Sequence, residues 1–235
     1  VVIGTAPVNM AEDPAAVVNT PILANSAAEA MAALGYSTDM GKGKYTLCQT
    51  MYATNNIYQV SPVVYINVLD PARHKKSLEE AQYPVSQMQA VIPVEGVLIN
   101  GLTVKNADGS TALTLNTDYT AAFNSDGHLV LTLIEGGAGA TAENLTVSGE
   151  QIDPSAVTKT DIVGAYEPLT GKETGAEVIR QVFPKLGIVP GLLLAPGWSQ
   201  EPEVGIALAA KAANINGVFK AMALLDLDTT KAKKY

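Results

Sequence analysis

The sequence has little cysteine. Its 235 residues include only Cys48, which excludes an internal disulfide and indicates a reducing compartment. Cys48 lies within a helical pattern, and this favours a small buried hydrophobic residue over a reactive thiol.

Histidine is almost as scarce, with His74 and His128 alone. Neither has a cysteine or another histidine at metal-ligand spacing, so we expect both to be solvent-exposed and predict no metal site. Walker A and Gly-x-Ser-x-Gly sequences are also absent. The glycine-rich residues 136–139 are predicted to be a hairpin loop and not a phosphate loop, because no helical pattern follows them. We therefore predict no catalytic residue and no cofactor.

Positive charge is also in short supply. Lysine and arginine total 15 against 23 acidic residues, which gives a net charge of −8. Nucleic-acid binders need a basic surface to displace counterions, so no nucleic-acid partner is expected. No apolar run approaches the roughly 18–20 residues of a membrane span, so no membrane partner is expected either.

Residues 1–91 and 157–235 alternate apolar runs with amphipathic segments. Runs of strand length without alternation indicate strands covered on both faces, as in a parallel sheet. They lie at 1–6, 63–69, 191–195 and 221–227. Capping-box spacing predicts helix starts at Ser26, Thr46, Ser77 and Thr174, and Ser199 is the predicted N-cap of a helix that follows.

Residues 92–156 have an all-β pattern instead. Short, partly alternating runs are separated by Asn-Gly, Asp-Gly and glycine-rich turns, which supply the backbone angles of tight hairpins. The predicted strands are 94–99, 102–105, 111–115, 119–124, 129–134 and 145–148. The predicted fold class is α/β with an all-β insertion. A discontinuous α/β domain with a mainly parallel sheet, 1–91 and 157–235, is interrupted by a small β-sandwich or barrel-like domain, 92–156.

One pair of residues suggests an enzyme. Asp226 and Asp228 follow an apolar run in the sequence Asp-Leu-Asp-Thr-Thr, which is similar to the first motif of haloacid-dehalogenase-type phosphatases. There one aspartate attacks phosphorus while the other handles the proton, with a magnesium ion nearby. That family places the motif first in the chain, whereas here it is close to the last residue. A solvated turn is therefore the favoured interpretation.

Four longer stretches of the sequence are more specific than a short motif. They are GTAPVNMAEDPAAVVNTP at 4–21, KYTLCQTMYA at 44–53, PVVYINVLDPARHKK at 62–76, and VPGLLLAPGWSQEPEV at 189–204, which continues as AAKAANINGVFKAMALLDLDT at 209–229. They resemble tail sheath proteins of contractile phages, prophages and phage-tail-like bacteriocins, most closely the sheath type of Gram-positive prophages. The resemblance covers both α/β segments. The β segment corresponds in position to a variable domain that sheath subunits display outwardly.

The resemblance implies a structural protein and not an enzyme. Sheath subunits stack as hexameric rings around a tail tube, and they shorten when a baseplate triggers them. The expected partners are other sheath subunits, the tube and the baseplate. The expected location is the virion tail, assembled in the bacterial cytoplasm.

The sequence departs from the sheath pattern at both ends. Sheath subunits carry an N-terminal arm, a C-terminal domain and a C-terminal arm, and the arms add strands to neighbours' sheets. These are expected to be missing here, where the chain begins at Val1 without a methionine or signal peptide. We expect this chain alone to be monomeric or weakly associating and not to form a sheath.

A receptor- or carbohydrate-binding tail module is the second hypothesis, suggested by the glycine-rich loops of the β segment. Sugar sites usually need aromatic platforms, and 92–156 offers only Tyr119 and Phe123. A phosphatase using Asp226 and Asp228 is the third hypothesis.

Overall fold

The structure, a computed structural model, describes residues 1–38 and 44–230. It divides into two compact units. The first comprises Val1–Asp70 and Pro154–Tyr235, and the second comprises Pro71–Asp153. The mixture of helices and strands predicted from the sequence is confirmed.

Within residues 1–38, 44–70 and 154–230, the first unit has seven strands and five α-helices. Its strands are β1 (Val2–Gly4), β2 (Pro21–Ala24), β3 (Val63–Asn67), β11 (Tyr166–Glu167), β12 (Lys172–Glu173), β13 (Leu192–Leu194) and β14 (Met222–Leu224). Its α-helices are α1 (Ala27–Leu34), α2 (Thr46–Met51), α3 (Lys159–Val163), α4 (Val182–Leu186) and α5 (Pro202–Ala213). A π-helical segment, Tyr52–Ile57, continues α2, and short 3₁₀ turns lie at Val8–Met10, Pro154–Ala156 and Gly175–Gln181.

Five of these strands form one sheet in the order β14-β13-β1-β3-β2. The pairs β14–β13, β13–β1 and β1–β3 are parallel, and β2 pairs antiparallel with β3. The structure has strands within all four predicted apolar runs. It adds β2, which the sequence did not reveal because a short strand that begins at a proline lacks a clear periodic pattern.

Local signals predicted some helix starts and missed others. Ser26 caps α1, because its Oγ accepts a hydrogen bond from the Glu29 amide at 3.2 Å. Thr46 is not a cap. It lies inside α2, and its Oγ1 accepts from the amide of Thr5 at 3.2 Å. Thr174 precedes a 3₁₀ turn without capping it through its side chain.

The second unit is an antiparallel sheet of seven strands that curls around its own core. The strands are β4 (Lys75–Ser86), β5 (Gln89–Ile92), β6 (Thr103–Asn106), β7 (Ala112–Leu113), β8 (Tyr119–Phe123), β9 (Leu129–Leu133) and β10 (Asn144–Ile152), in the order β7-β6-β10-β4-β5-β9-β8. Aliphatic side chains on one face of each strand form the core, among them Ile92, Leu129, Leu131 and Leu145.

This unit begins earlier than the predicted segment 92–156. The helix predicted at Ser77 does not exist, because residues 75–86 form β4 and pair along almost their whole length with β10. Residues 94–99 form no regular strand and contribute only an isolated bridge between Val97 and Gln151. No helix in the described parts of the chain has both the length and the apolar character that a membrane span requires.

Candidate functional site

The sheet of the first unit has one apolar area that nothing described covers. Register places Leu192 beside Met222 and Leu194 beside Leu224, so these four side chains share a face, here called the open face. Met222 is 67% and Leu224 56% exposed, whereas Leu193 on the opposite face is fully buried. The expectation of strands covered on both faces is therefore wrong at β13 and β14.

The same face is covered over β1 and β3. Helix α2 packs so closely on β1 that a side chain at Gly4 would overlap Thr46 Oγ1, and Tyr65 Oη lies 3.0 Å from Thr54 Oγ1 on the π-helical segment. Over β13 and β14, by contrast, Leu192, Met222 and Leu224 on this face are exposed.

A groove lies between the open face and the segments that flank the sheet. Its volume is about 400 Å³, and its floor includes Val2, Leu192 and Leu194 from the sheet. Its walls come from segments that flank the sheet, with exposed side chains at Tyr58, Val60 and Val189. No charged side chain lines the groove. It is an apolar surface suited to another apolar surface and not to polar chemistry.

A second feature is a hairpin, β11–β12, whose loop carries a large apolar side chain. Leu169 is 95% exposed at the tip. Two hydrogen bonds within the loop hold its conformation. Gly171 N donates to Glu167 O at 2.8 Å, and Thr170 Oγ1 donates to the Glu167 carboxylate at 2.6 Å. At the hairpin base, the Arg180 guanidinium lies 3.3 Å from the Glu173 carboxylate.

Asp226, one of the two aspartates on which the phosphatase hypothesis depended, has a structural role. Its Oδ2 accepts hydrogen bonds from Gly197 N at 2.7 Å and from Ser199 Oγ at 2.9 Å, while its amide donates to Ser199 Oγ at 2.8 Å. These bonds join the chain after β14 to the chain after β13. The prediction of Ser199 as a helix cap is wrong, since α5 begins after Glu201 and the Ser199 hydroxyl is held by Asp226.

Asp228 does not join Asp226 in a site. Its Oδ1 accepts from the amide of Thr230 at 3.0 Å, within its own turn. Among residues 1–38 and 44–230, no three histidine, cysteine or acidic side chains are grouped so that they could hold a metal ion. The geometry gives the phosphatase hypothesis no support.

We expect Asp226→Ala to loosen β14 without unfolding the first unit. The substitution removes the acceptor for Gly197 and Ser199, and a hydrogen bond to a charged group contributes about 1.5–3 kcal/mol. Amide exchange at 222–225, followed by mass spectrometry, should become at least about tenfold faster. Asp228→Ala is the matched control and should leave these amides unchanged. Equal acceleration in both variants would contradict the role given to Asp226.

The cysteine and the two histidines do not line the groove. Cys48 is fully buried, as predicted, and burial raises the pKa of its thiol to about 11. His74 is only 3% exposed, so the prediction that it is solvent-exposed is wrong: it lies at the start of the long β4–β10 pair. His128 is half-buried.

The glycine-rich loop at 136–139 is a turn between β9 and β10, and an acidic side chain organises it. The Asp118 carboxylate accepts from Ala138 N and from Thr114 N, each at 2.8 Å. These backbone hydrogen bonds, from Ala138 first and then Thr114, lower the pKa of Asp118. The Ala138 amide is therefore already bonded to a carboxylate of the protein, an arrangement that does not favour a bound phosphate.

Tyr119 and Phe123, the two aromatic residues of the predicted segment 92–156, do not form a sugar platform. Tyr119 is buried in the core, and Phe123 packs against that core from its edge. The carbohydrate-binding hypothesis therefore gains no support from the two residues on which it depended.

No protein-family model matches the chain, and no solved structure matches it. One curated protein does: the tail sheath protein of Burkholderia phage BcepMu is 29% identical over 219 residues, which are 92% of this chain and 42% of that protein. The chain thus spans less than half the length of this relative. The likeness to the Gram-positive type stays a prediction. The resemblance to tail sheath proteins is confirmed: over nearly its whole length, the chain is similar to part of a phage tail sheath protein.

Proposed function

We propose that this chain is a structural part of a contractile tail sheath subunit, and that it has no enzymatic activity. The observation that carries the proposal is the similarity to a phage tail sheath protein across 92% of the chain. The subunits stack as hexameric rings around a tail tube in the virion, and contraction drives the tube through the host envelope. Other sheath subunits, the tube and the baseplate are the proposed partners.

The structure supports this proposal through the kind of surface that it presents. A sheath that contracts without consuming a cofactor must obtain free energy from its own subunits. The contacts between subunits after contraction must be more favourable than those that they replace. A groove without charged side chains, an open sheet face and an ordered hairpin with an apolar side chain at its tip are features suited to such contacts. The net charge of −8 is consistent with protein partners and opposes binding to nucleic acid.

The second unit has a different proposed role. We infer that its curled sheet is a barrel-like module displayed on the outer surface of the sheath. Its polar outer positions support this, since residues exposed along β4 are mainly lysine, glutamate, serine and glutamine. The source type, Gram-positive prophage or bacteriocin, rests on the sequence resemblance alone.

Negative-stain electron microscopy of the full-length reading frame that encodes this chain tests the function. We expect striated tubes or stacked hexameric rings when the full-length protein is expressed alone or with the tube and baseplate proteins of the same tail. A matched sample of residues 1–235 should show no long tubes. A full-length protein that stays monomeric under both conditions would contradict the proposal.

A further inference from the structure

We propose that Asn100 is a site of spontaneous deamidation, and that the fold protects Asn216 from the same reaction. The chain has these two Asn-Gly pairs, and their neighbours are almost identical. The sequence is Ile-Asn-Gly-Leu at 99–102 and Ile-Asn-Gly-Val at 215–218. Since the local sequences match, a difference in reactivity must come from the structure around each asparagine. The inference goes beyond the proposed function and does not depend on it.

Deamidation closes a ring between the asparagine side chain and the next backbone nitrogen. Hydroxide removes the proton from the glycine nitrogen, which attacks Cγ of the asparagine and forms a new N–C bond. The bond from Cγ to Nδ2 breaks, and the side-chain nitrogen takes up a proton and leaves as ammonia. Water then opens the five-membered succinimide at either carbonyl and gives aspartate or isoaspartate. Glycine favours the attack because it has no Cβ to obstruct it.

Asn100 lies in an exposed turn of the second unit. Leu102 N donates to Ile99 O at 3.2 Å, and Gly101 has a φ of +87°, as in a type II turn. Asn100 and Gly101 are both exposed, and apart from chain neighbours no atom lies within 4 Å of a methyl group placed on Gly101. In the described parts of the chain, no hydrogen bond holds the Asn100 side chain. Its Cγ is therefore free to turn towards the Gly101 nitrogen, and water can reach both.

Asn216 lies in a turn of the first unit that several hydrogen bonds hold closed. Asn216 and Gly217 have φ angles of +54° and +78°, as in a type I′ turn. Ile215 N donates to Phe219 O at 2.8 Å, and Phe219 N donates to Ile215 O at 2.9 Å. The side-chain nitrogen of Asn216 donates to Arg180 O at 2.9 Å. The Asn216 side chain must therefore leave Arg180, and the turn must open, before its Cγ can meet the Gly217 nitrogen.

The products change both the charge and the backbone of the second unit. Aspartate and isoaspartate each add one negative charge to a chain whose net charge is −8. Isoaspartate also places Cβ of residue 100 in the main chain, which lengthens the turn by one atom. That turn connects the buried residues Val97 and Leu98 to β6. Modified chains should therefore bind more tightly to an anion-exchange column than unmodified chains.

Peptide mapping after incubation of residues 1–235 at mildly alkaline pH tests the inference. Trypsin releases Asn100 in the peptide 77–105 and Asn216 in the peptide 212–220. Deamidation raises the mass of a peptide by one unit, and fragmentation identifies the modified residue. We expect Asn100 to react at least about tenfold faster than Asn216, because Asn216 reacts only from a locally opened turn. The rate at Asn100 should rise with pH, since the attacking nitrogen must lose a proton.

Incubation in urea and one substitution are the controls. Urea removes the fold, so the two peptides should react at similar rates because their local sequences are almost identical. Asn100→Gln retains a side-chain amide but would need a six-membered ring, which forms more slowly. This variant should therefore stop the conversion of 77–105 and leave the rate of 212–220 unchanged. Circular dichroism verifies that the variant is folded.

Three results would overturn the inference. The first is an equal or higher rate at Asn216 in the folded protein, which would mean that its hydrogen bonds give no protection. The second is conversion of Asn100 in urea alone, which would mean that the exposed turn prevents the ring from closing. The third is a slow reaction of Asn216 in urea as well, which would mean that the fold is not what protects it.

Discussion

Replacing Gly164 with alanine is expected to destabilise the first unit by roughly 3–5 kcal/mol, or to prevent soluble expression. Gly164 ends α3 with a φ of +68° and a ψ of −171°, a sparsely populated region that costs an L-residue about 1–3 kcal/mol. A methyl group there would also overlap the carbonyl oxygen of Thr174, and a fixed backbone atom cannot move aside as a side chain can. Overpacking of this kind adds about 1–3 kcal/mol or more.

Gly171→Ala is the matched control for this prediction. Its φ of +69° is nearly the same, but no atom lies within 4 Å of the added methyl group. The control should therefore lose only the conformational term, about 1–2 kcal/mol. Urea unfolding followed by Trp198, which lies in the first unit, measures both variants. Equal losses would show that the contact with Thr174 is unimportant.

The second large effect is expected at Asn67, a fully buried residue at the end of β3. Its Oδ1 accepts from Ala6 N at 3.1 Å and from Leu69 N at 3.2 Å, and its Nδ2 donates to Leu69 O at 2.8 Å. Asn67→Ala leaves three backbone groups without these partners. At about 1–3 kcal/mol for each of the three buried unsatisfied groups, we expect a loss of roughly 3–9 kcal/mol.

The same urea titration measures this loss. Asn214→Ala is the control, because Asn214 is exposed after the last turn of α5, and its change should stay within about 0.5 kcal/mol. A small effect of Asn67→Ala would mean that water or a shifted backbone replaces the lost hydrogen bonds.

The sequence predicted the fold where the signal is local. The apolar runs containing β1, β3, β13 and β14 were visible because the strands of a parallel sheet are often continuous in hydrophobic residues. Cys48 was correctly placed in the interior because it lies within a helical pattern, where a small buried hydrophobic residue is the common interpretation of a lone cysteine. The cap at Ser26 followed from spacing, since its acceptor role uses an amide three residues away.

Prediction from the sequence failed where the local structure depends on residues that are distant in the chain. Residues 75–86 contain lysine, glutamate, alanine and glutamine, which favour a helix, but pairing with β10 makes them a strand. Thr46 and Ser199 resemble helix caps, yet their hydroxyls bond Thr5 and Asp226 instead, 41 and 27 residues away along the chain. A rule based on the spacing of nearby residues cannot identify partners so far apart in the sequence.

The open face and the Leu169 hairpin could not be predicted from the sequence for the same reason. Leu192 and Leu224 belong to runs that indicate burial, and only the order of strands shows that β14 lies at the edge and that one face of it stays open. The Leu169 hairpin contains only two residues in each strand, too few for a periodic pattern.

The way the second unit joins the first has a consequence for how such chains diversify. The chain enters this unit beside His74 and leaves it at Asp153, and the Asp153 amide donates to the His74 carbonyl at 2.7 Å. Lys75 and Ile152 then pair as the first rung of β4 and β10. Because entrance and exit are neighbours, the whole module can be shortened, enlarged or exchanged without changing the gap that the first unit must span. Recombination between related genes at these two junctions would exchange the second unit while leaving the first unit unchanged.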